Sequence, residues 1–109
     1  VIMNAEMLRG YTDAIILNIL RKGDSYGYMV SKKIEEKVNN EIGITNATIY
    51  LAFKRMEKDN LIISYWSSSD SGARRKNYQI TDKGIEYLKD KKKEWKKNQT
   101  ILDKLLGGR

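Results

Sequence analysis

The chain contains no cysteine, no histidine and no proline. Without cysteine there can be no disulfide, no thiolate zinc site and no cysteine nucleophile, which suits a reducing cytosol. Without histidine the commonest general base and the commonest metal ligand are both missing. No metal or cofactor is therefore expected. An enzyme would have to rely on a lone carboxylate or lysine, and no pair is arranged for it. An apolar run such as Ala14-Ile15-Ile16-Leu17 is far too short to span a membrane. No basic start leads into an apolar stretch with a small-residue cleavage site, so no export signal is expected. Repeats and low-complexity linkers are also lacking, and 109 residues suffice for one compact domain.

What is abundant is positive charge. Lys and Arg number 21 against 14 acidic residues, a net charge of +7. Such a balance favours a polyanionic partner, usually nucleic acid or an anionic membrane surface. The densest run, Lys89 to Lys97, reads as the solvated side of a helix, softened by Asp90 and Glu94, and not as a lipid-binding segment. No membrane partner is expected.

Periodicity orders the elements. Asn4 to Lys22 reads as a first helix whose apolar residues, among them Met7, Leu8, Tyr11, Ala14, Ile15 and Ile19, cover more than half its circumference. A helix apolar on so many sides needs burial both in its own core and against a second subunit. After Gly23-Asp24, Ser25 is expected to cap a second helix running to about Asn39, with Tyr26, Val30, Ile34 and Val38 inward. Glu41 to Ile44 is expected to be short and extended. Thr45 then caps a third helix through Asp59, and Asn60 is suited to a left-handed terminus. Its inner face is Ile49, Ala52, Phe53 and Met56, and its opposite face is assigned to Asn46, Tyr50, Lys54 and Glu57. Ile62 to Ser67 and Lys76 to Ile80 read as two strands around the turn-forming cluster Ser67 to Gly72. Thr81 caps a last helix to about Leu106. The expected fold class is mainly α with a small β-hairpin: a winged helix-turn-helix over residues 1–81, followed by a C-terminal dimerisation helix over 82–109.

Several segments in this order resemble the PadR family of bacterial regulators. They are Gly27-Tyr28, Ala47-Thr48-Ile49-Tyr50, Phe53 to Asn60, Tyr65-Trp66, Gly72 to Tyr78 and Ile80-Thr81-Asp82-Lys83-Gly84. The short chain and Trp95 in the last helix are similar to the small multidrug-responsive members. In those, the last helix pairs with the partner's first helix, and a tryptophan from each subunit faces a flat drug across a central opening. The resemblance implies a cytoplasmic, bacterial, homodimeric repressor of a near-palindromic double-stranded DNA operator, modulated by a small hydrophobic or aromatic effector.

A recognition helix reads base edges while cations and hydroxyls hold phosphates. The residues assigned to DNA are accordingly Tyr28, Asn46, Thr48, Tyr50 and Lys54, with Arg74, Arg75 and Lys76 on the wing. For Tyr28, plain packing stays open as an alternative. Glu57, anionic on the third helix, must lie beyond the backbone or pair with Lys54 or Lys58. In the last helix, Ile85, Leu88, Lys92, Trp95, Gln99, Leu102 and Leu106 alternate by three and four as a coiled-coil seam does. Lys92 and Gln99 are polar on either side of Trp95, so the seam either tolerates two weak positions or opens there into a cavity. The residues assigned to an effector are Met7, Tyr11, Asp13, Ala14, Leu88, Lys92, Trp95, Gln99 and Asp103. In the drug-binding relatives an acidic residue follows the tryptophan by one turn. Here Gln99 stands at that place, and Asp13 or Asp103 would have to substitute. The rival reading is a winged-helix module that grips another protein and shows no salt-steep DNA binding.

Overall fold

The computed structural model describes residues 10–38 and 44–107. The first helix, α1 (Thr12–Arg21), begins later than its periodicity suggests. Gly10 has φ +89°, a left-handed conformation that costs glycine little and stops a helix. The expected start at Asn4, together with Met7, lies outside the described residues. Ile16, Leu17 and Leu20 face the core, and Asp13 in the first turn is clasped by the guanidinium of Arg55.

Ser25 does not cap the second helix, α2 (Gly27–Val38). Its backbone is recruited to the hairpin instead: its N–H donates to the Tyr78 carbonyl at 3.2 Å and its carbonyl accepts from the Tyr78 N–H at 2.7 Å. A residue that lends both backbone groups to a strand is not positioned to cap a helix. Its buried Oγ has no hydrogen-bond partner among the described residues. Val30 and Ile34 form the buried stripe, with Tyr26 and Val38 at its half-buried ends.

α3 (Asn46–Lys58) starts and stops where local chemistry says it should. The Thr45 hydroxyl accepts from the Thr48 N–H at 3.2 Å, satisfying one of the helix's orphan donors. At the far end Asn60 adopts φ 62°, the left-handed terminus. Ile49, Ala52, Phe53 and Met56 are all buried.

The hairpin pairs β1 (Ile62–Ser68) with β2 (Arg74–Ile80) in antiparallel register, Ile62 opposite Ile80 and Ser68 opposite Arg74. Both strands run further than expected. The turn closes tightly, with Ser69 N–H donating to the Ala73 carbonyl at 2.7 Å and Gly72 at φ +85°, so Ser68 and Arg74 remain paired. Tyr78 stacks on Phe53 with ring centroids 4.0 Å apart, fixing the hairpin against α3.

Thr81 caps α4 (Asp82–Leu106) by accepting from the Gly84 N–H at 3.0 Å. A Cβ at Gly84 would collide with the Leu61 carbonyl. Only glycine lets the helix approach that closely, and Leu88 then reaches the core. The first turns of α4 therefore belong physically to the winged-helix body. From Lys92 to Leu106 every residue is exposed. The radius of gyration, 15.5 Å, exceeds the roughly 13 Å of a compact chain this size because α4 projects. Among the described residues the molecule is thus four helices and a two-stranded hairpin, a winged helix with a C-terminal helix.

Candidate nucleic-acid interface

α3 presents an outward row that differs from the one its sequence suggests. At about 100° per residue, Ala47, Leu51, Lys54 and Lys58 lie opposite the buried Ile49 stripe, and all four are exposed. Asn46, Tyr50 and Glu57 lie on a flank and are engaged with neighbours. Asn46 Oδ1 accepts from the Ser31 hydroxyl at 2.9 Å, which tethers α3 to α2. The Tyr50 ring covers Gly27: a Cβ there would sit 2.6 Å from the tyrosine Oη. Gly27 is therefore a seat for Tyr50, whose ring stays half exposed. Thr48, on the other flank, is half-buried, and its hydroxyl lies 3.0 Å from that of Thr45.

Glu57 pairs with neither Lys54 nor Lys58. It accepts from the Ser64 hydroxyl at 2.7 Å and meets the Lys76 ammonium at 3.8 Å. Both partners come from the hairpin, because β1 and β2 cross α3 at that turn. Glu57 is thereby turned toward the hairpin, and Lys76 is a brace as much as a free cation. Burial, the nearby Glu57 charge and Tyr50 together raise the Tyr78 phenol above its ordinary pKa, so the tyrosine beneath the hairpin stays neutral.

The two wing arginines are each laid on an aromatic ring. Arg74 lies 4.7 Å from the Trp66 ring centre, and Arg75 lies 4.0 Å from that of Tyr26. A guanidinium stacked in this way loses side-chain freedom but keeps its N–H edge for an anion. Tyr28, in the first turn of α2, is 66% exposed. Tyr28, Lys54, Arg74 and Arg75 remain at the surface, with Asn46 and Tyr50 held at its edge. Sequence reasoning missed Leu51 and Lys58. Leu51 was legible as the position opposite Ile49, but an apolar residue on an outward face carries no polar signal.

The effector set is not gathered within one subunit. Leu88 is buried in the core, because α4 packs on α1 and Gly84 lets it rest on the Leu61 carbonyl, and so it does not line an open seam. Asp13 is committed to Arg55 and is not a spare charge for a cationic ligand. Tyr11 and Ala14 are half-buried, whereas Lys92, Trp95, Gln99 and Asp103 are exposed on α4. Met7 lies outside the described residues. A groove of about 400 Å³ runs elsewhere, between α1 and α2, with Ile15, Ile19, Ile34 and Val38 as apolar lining and Lys22, Lys33 and Lys37 beside them. Contact with Lys37, then burial and the charges of Lys92 and Lys33, lower the Lys22 pKa.

Among the described residues, no helix is long and apolar enough to cross a membrane. Residues 16–90 match the transcriptional regulator PadR-like family. A transcriptional regulator from Clostridium thermocellum is 41% identical, with a TM-score of 0.85 over 94% of this chain and 96% of that one. A PadR-like transcriptional regulator from Bacillus cereus is 34% identical, with a TM-score of 0.82 over 96% of this chain and 100% of that one. A protein of Lysinibacillus sphaericus is 37% identical over 106 residues, 97% of each chain. With this winged helix, its outward-facing α3 and its stacked wing arginines, the chain belongs to the PadR-like family of DNA-binding transcriptional regulators.

Proposed function

We propose that the protein represses transcription as a homodimer that sets two α3 helices into successive major grooves of a near-palindromic operator. We propose further that a flat aromatic or hydrophobic molecule bound between the subunits modulates that affinity. The observation that carries the DNA reading is the outward row of α3 together with the ring-stacked Arg74 and Arg75 on the wing. Dimerisation is supported by the exposed end of α4, where Leu102, Leu105 and Leu106 are 52%, 73% and 80% exposed. So much contiguous apolar surface on a small basic protein calls for a cover, and an isologous contact with a second copy supplies it. Residues 1–81 then serve as the DNA-binding part and 82–109 as the dimerisation helix, with the first turns of α4 anchoring one to the other. Occlusion of a promoter would give repression in the cytoplasm of a bacterial cell.

Selection of duplexes from a random pool tests the operator. The enriched sequences are expected to be inverted repeats with half-site centres about 34–36 Å apart, one helical turn. A pool that stays random after repeated selection would remove the operator from this reading.

For the effector, Trp95 is the residue that matters. Its ring is 50% exposed on α4, between Lys92 and Gln99. Across a two-fold axis it would face its symmetry mate and leave room for a planar guest. Stacking adds about 0.5–1.5 kcal/mol per ring beyond simple burial, so Trp95→Ala should weaken a planar dye roughly 5- to 150-fold when both faces are lost. The guest must shift the balance between DNA-fit and DNA-unfit spacings by its differential affinity for the two. Wild type is expected to show quenching of Trp95 with Trp66 little changed, and the variant to keep its dimer mass. Equal dye binding by both proteins, or none by wild type, would leave a DNA-binding dimer without this pocket.

A further inference from the structure

The outward row of α3 changes character along its length. Ala47 and Leu51, in its N-terminal half, are apolar, whereas Lys54 and Lys58 follow as cations. Leu51 is 63% exposed, and nothing among the described residues covers it. Its nearest large neighbour along the helix, Tyr50, is turned onto Gly27 and edge-on to Phe53, with centroids 6.2 Å apart, so it does not screen the leucine.

We propose that Ala47 and Leu51 form an apolar strip that reads thymine methyl groups in the major groove. The inference rests on the operator reading above and names what that surface recognises. In the major groove the C5 methyl of thymine is the one projecting apolar group on a base edge; cytosine has only a hydrogen there, and the other groups read are donors or acceptors. The N-terminal half of a recognition helix is the part that meets base edges. An aliphatic side chain there gains by covering a methyl and loses by desolvating a cytosine amine. Ala47, one turn before Leu51 on the same row, is short enough to let the helix backbone come close. Lys54 and Lys58 continue the row toward the groove rim, where phosphates lie. Polar readout falls to the flank residues Asn46 and Tyr50, whose orientations Ser31 and Gly27 already restrict.

Deoxyuridine differs from thymidine by that methyl alone, which makes the test direct. A duplex selected by the wild-type protein is resynthesised with each thymine replaced in turn by uracil. At one or two positions per half-site, wild type is expected to lose about fourfold in affinity, the ratio for one buried methylene-sized group. Leu51→Ala is expected to lose affinity for the thymine duplex while becoming indifferent to uracil at those same positions. Its salt dependence should stay as in wild type, because no phosphate contact is removed. Leu51 is exposed and alanine is a strong helix former, so the variant should fold; its far-ultraviolet circular dichroism checks this. Uracil tolerated at every position by wild type overturns the inference and leaves the operator reading standing. So does a Leu51→Ala protein that still discriminates uracil at the same positions. Failure of wild type to enrich any duplex overturns both readings together.

Discussion

Replacing Leu102 and Leu105 with aspartate should break the proposed dimer and leave a folded monomer of 12.7 kDa. Both side chains lie on the projecting part of α4 and take no part in the subunit core, which ends on that helix at Leu88. In a symmetric interface each substitution counts twice, so four leucines are lost from the contact. Fully burying one leucine contributes about 1.5–3 kcal/mol. Leu102 and Leu105 have 52% and 73% of their surface left to bury, which puts the loss at roughly 4–8 kcal/mol before relaxation. DNA binding should fall with it. Two half-site readers joined in one dimer gain an effective concentration that raises overall affinity about 10²- to 10⁴-fold over a single reader, and the monomer forfeits it. Sedimentation equilibrium with and without operator measures both effects. Thermal unfolding of the variant should still be cooperative, because Ile16, Leu17, Phe53 and Met56 are untouched. A wild-type protein that sediments as a stable monomer, or a variant that remains a dimer, would refute this account of α4.

The second large effect is that of salt. Lys54, Lys58, Arg74 and Arg75 give each subunit four cations at the surface of α3 and the wing, eight in a dimer. A protein neutralising about 6–10 phosphates loses roughly 10³–10⁵ in DNA affinity between 50 and 200 mM salt, as released counterions return. That steepness also separates DNA binding from a protein-gripping module. Arg74→Ala with Arg75→Ala removes up to four contacts in the dimer, so the slope of log affinity on log salt should flatten by about 3–4. Operator and random DNA should be affected alike, since phosphate contacts carry no sequence information. Lysine at both positions should restore part of the affinity. It keeps the charge but not the planar stack on Trp66 and Tyr26. An alanine double variant with unchanged slope would show that the wing does not touch the backbone. The ion pair of Lys76 with Glu57 predicts a smaller change for Lys76→Ala, because that cation is already partly spent within the fold.

The order of elements was legible because its signals are local. Thr45 and Thr81 sit three residues before the N–H groups they cap, and Asn60 ends α3 by its own backbone conformation. Buried stripes such as Ile49, Ala52, Phe53 and Met56 repeat within a few turns of one helix. The basic balance spoke for DNA without any coordinates. Tertiary structure alone decided the rest. Ser25 was drawn from the helix cap into the hairpin by Tyr78, far along the chain. Arg55 captured Asp13 across 42 positions, and Glu57 found Lys76 when no helical neighbour could be ruled in or out beforehand. Leu88 was taken into the core because Gly84 lets α4 rest on the Leu61 carbonyl. The outward row of α3 was settled the same way. Which residues of a helix face solvent depends on where α2 and the hairpin lie against it, and those packing angles arise from contacts that periodicity within one helix does not encode.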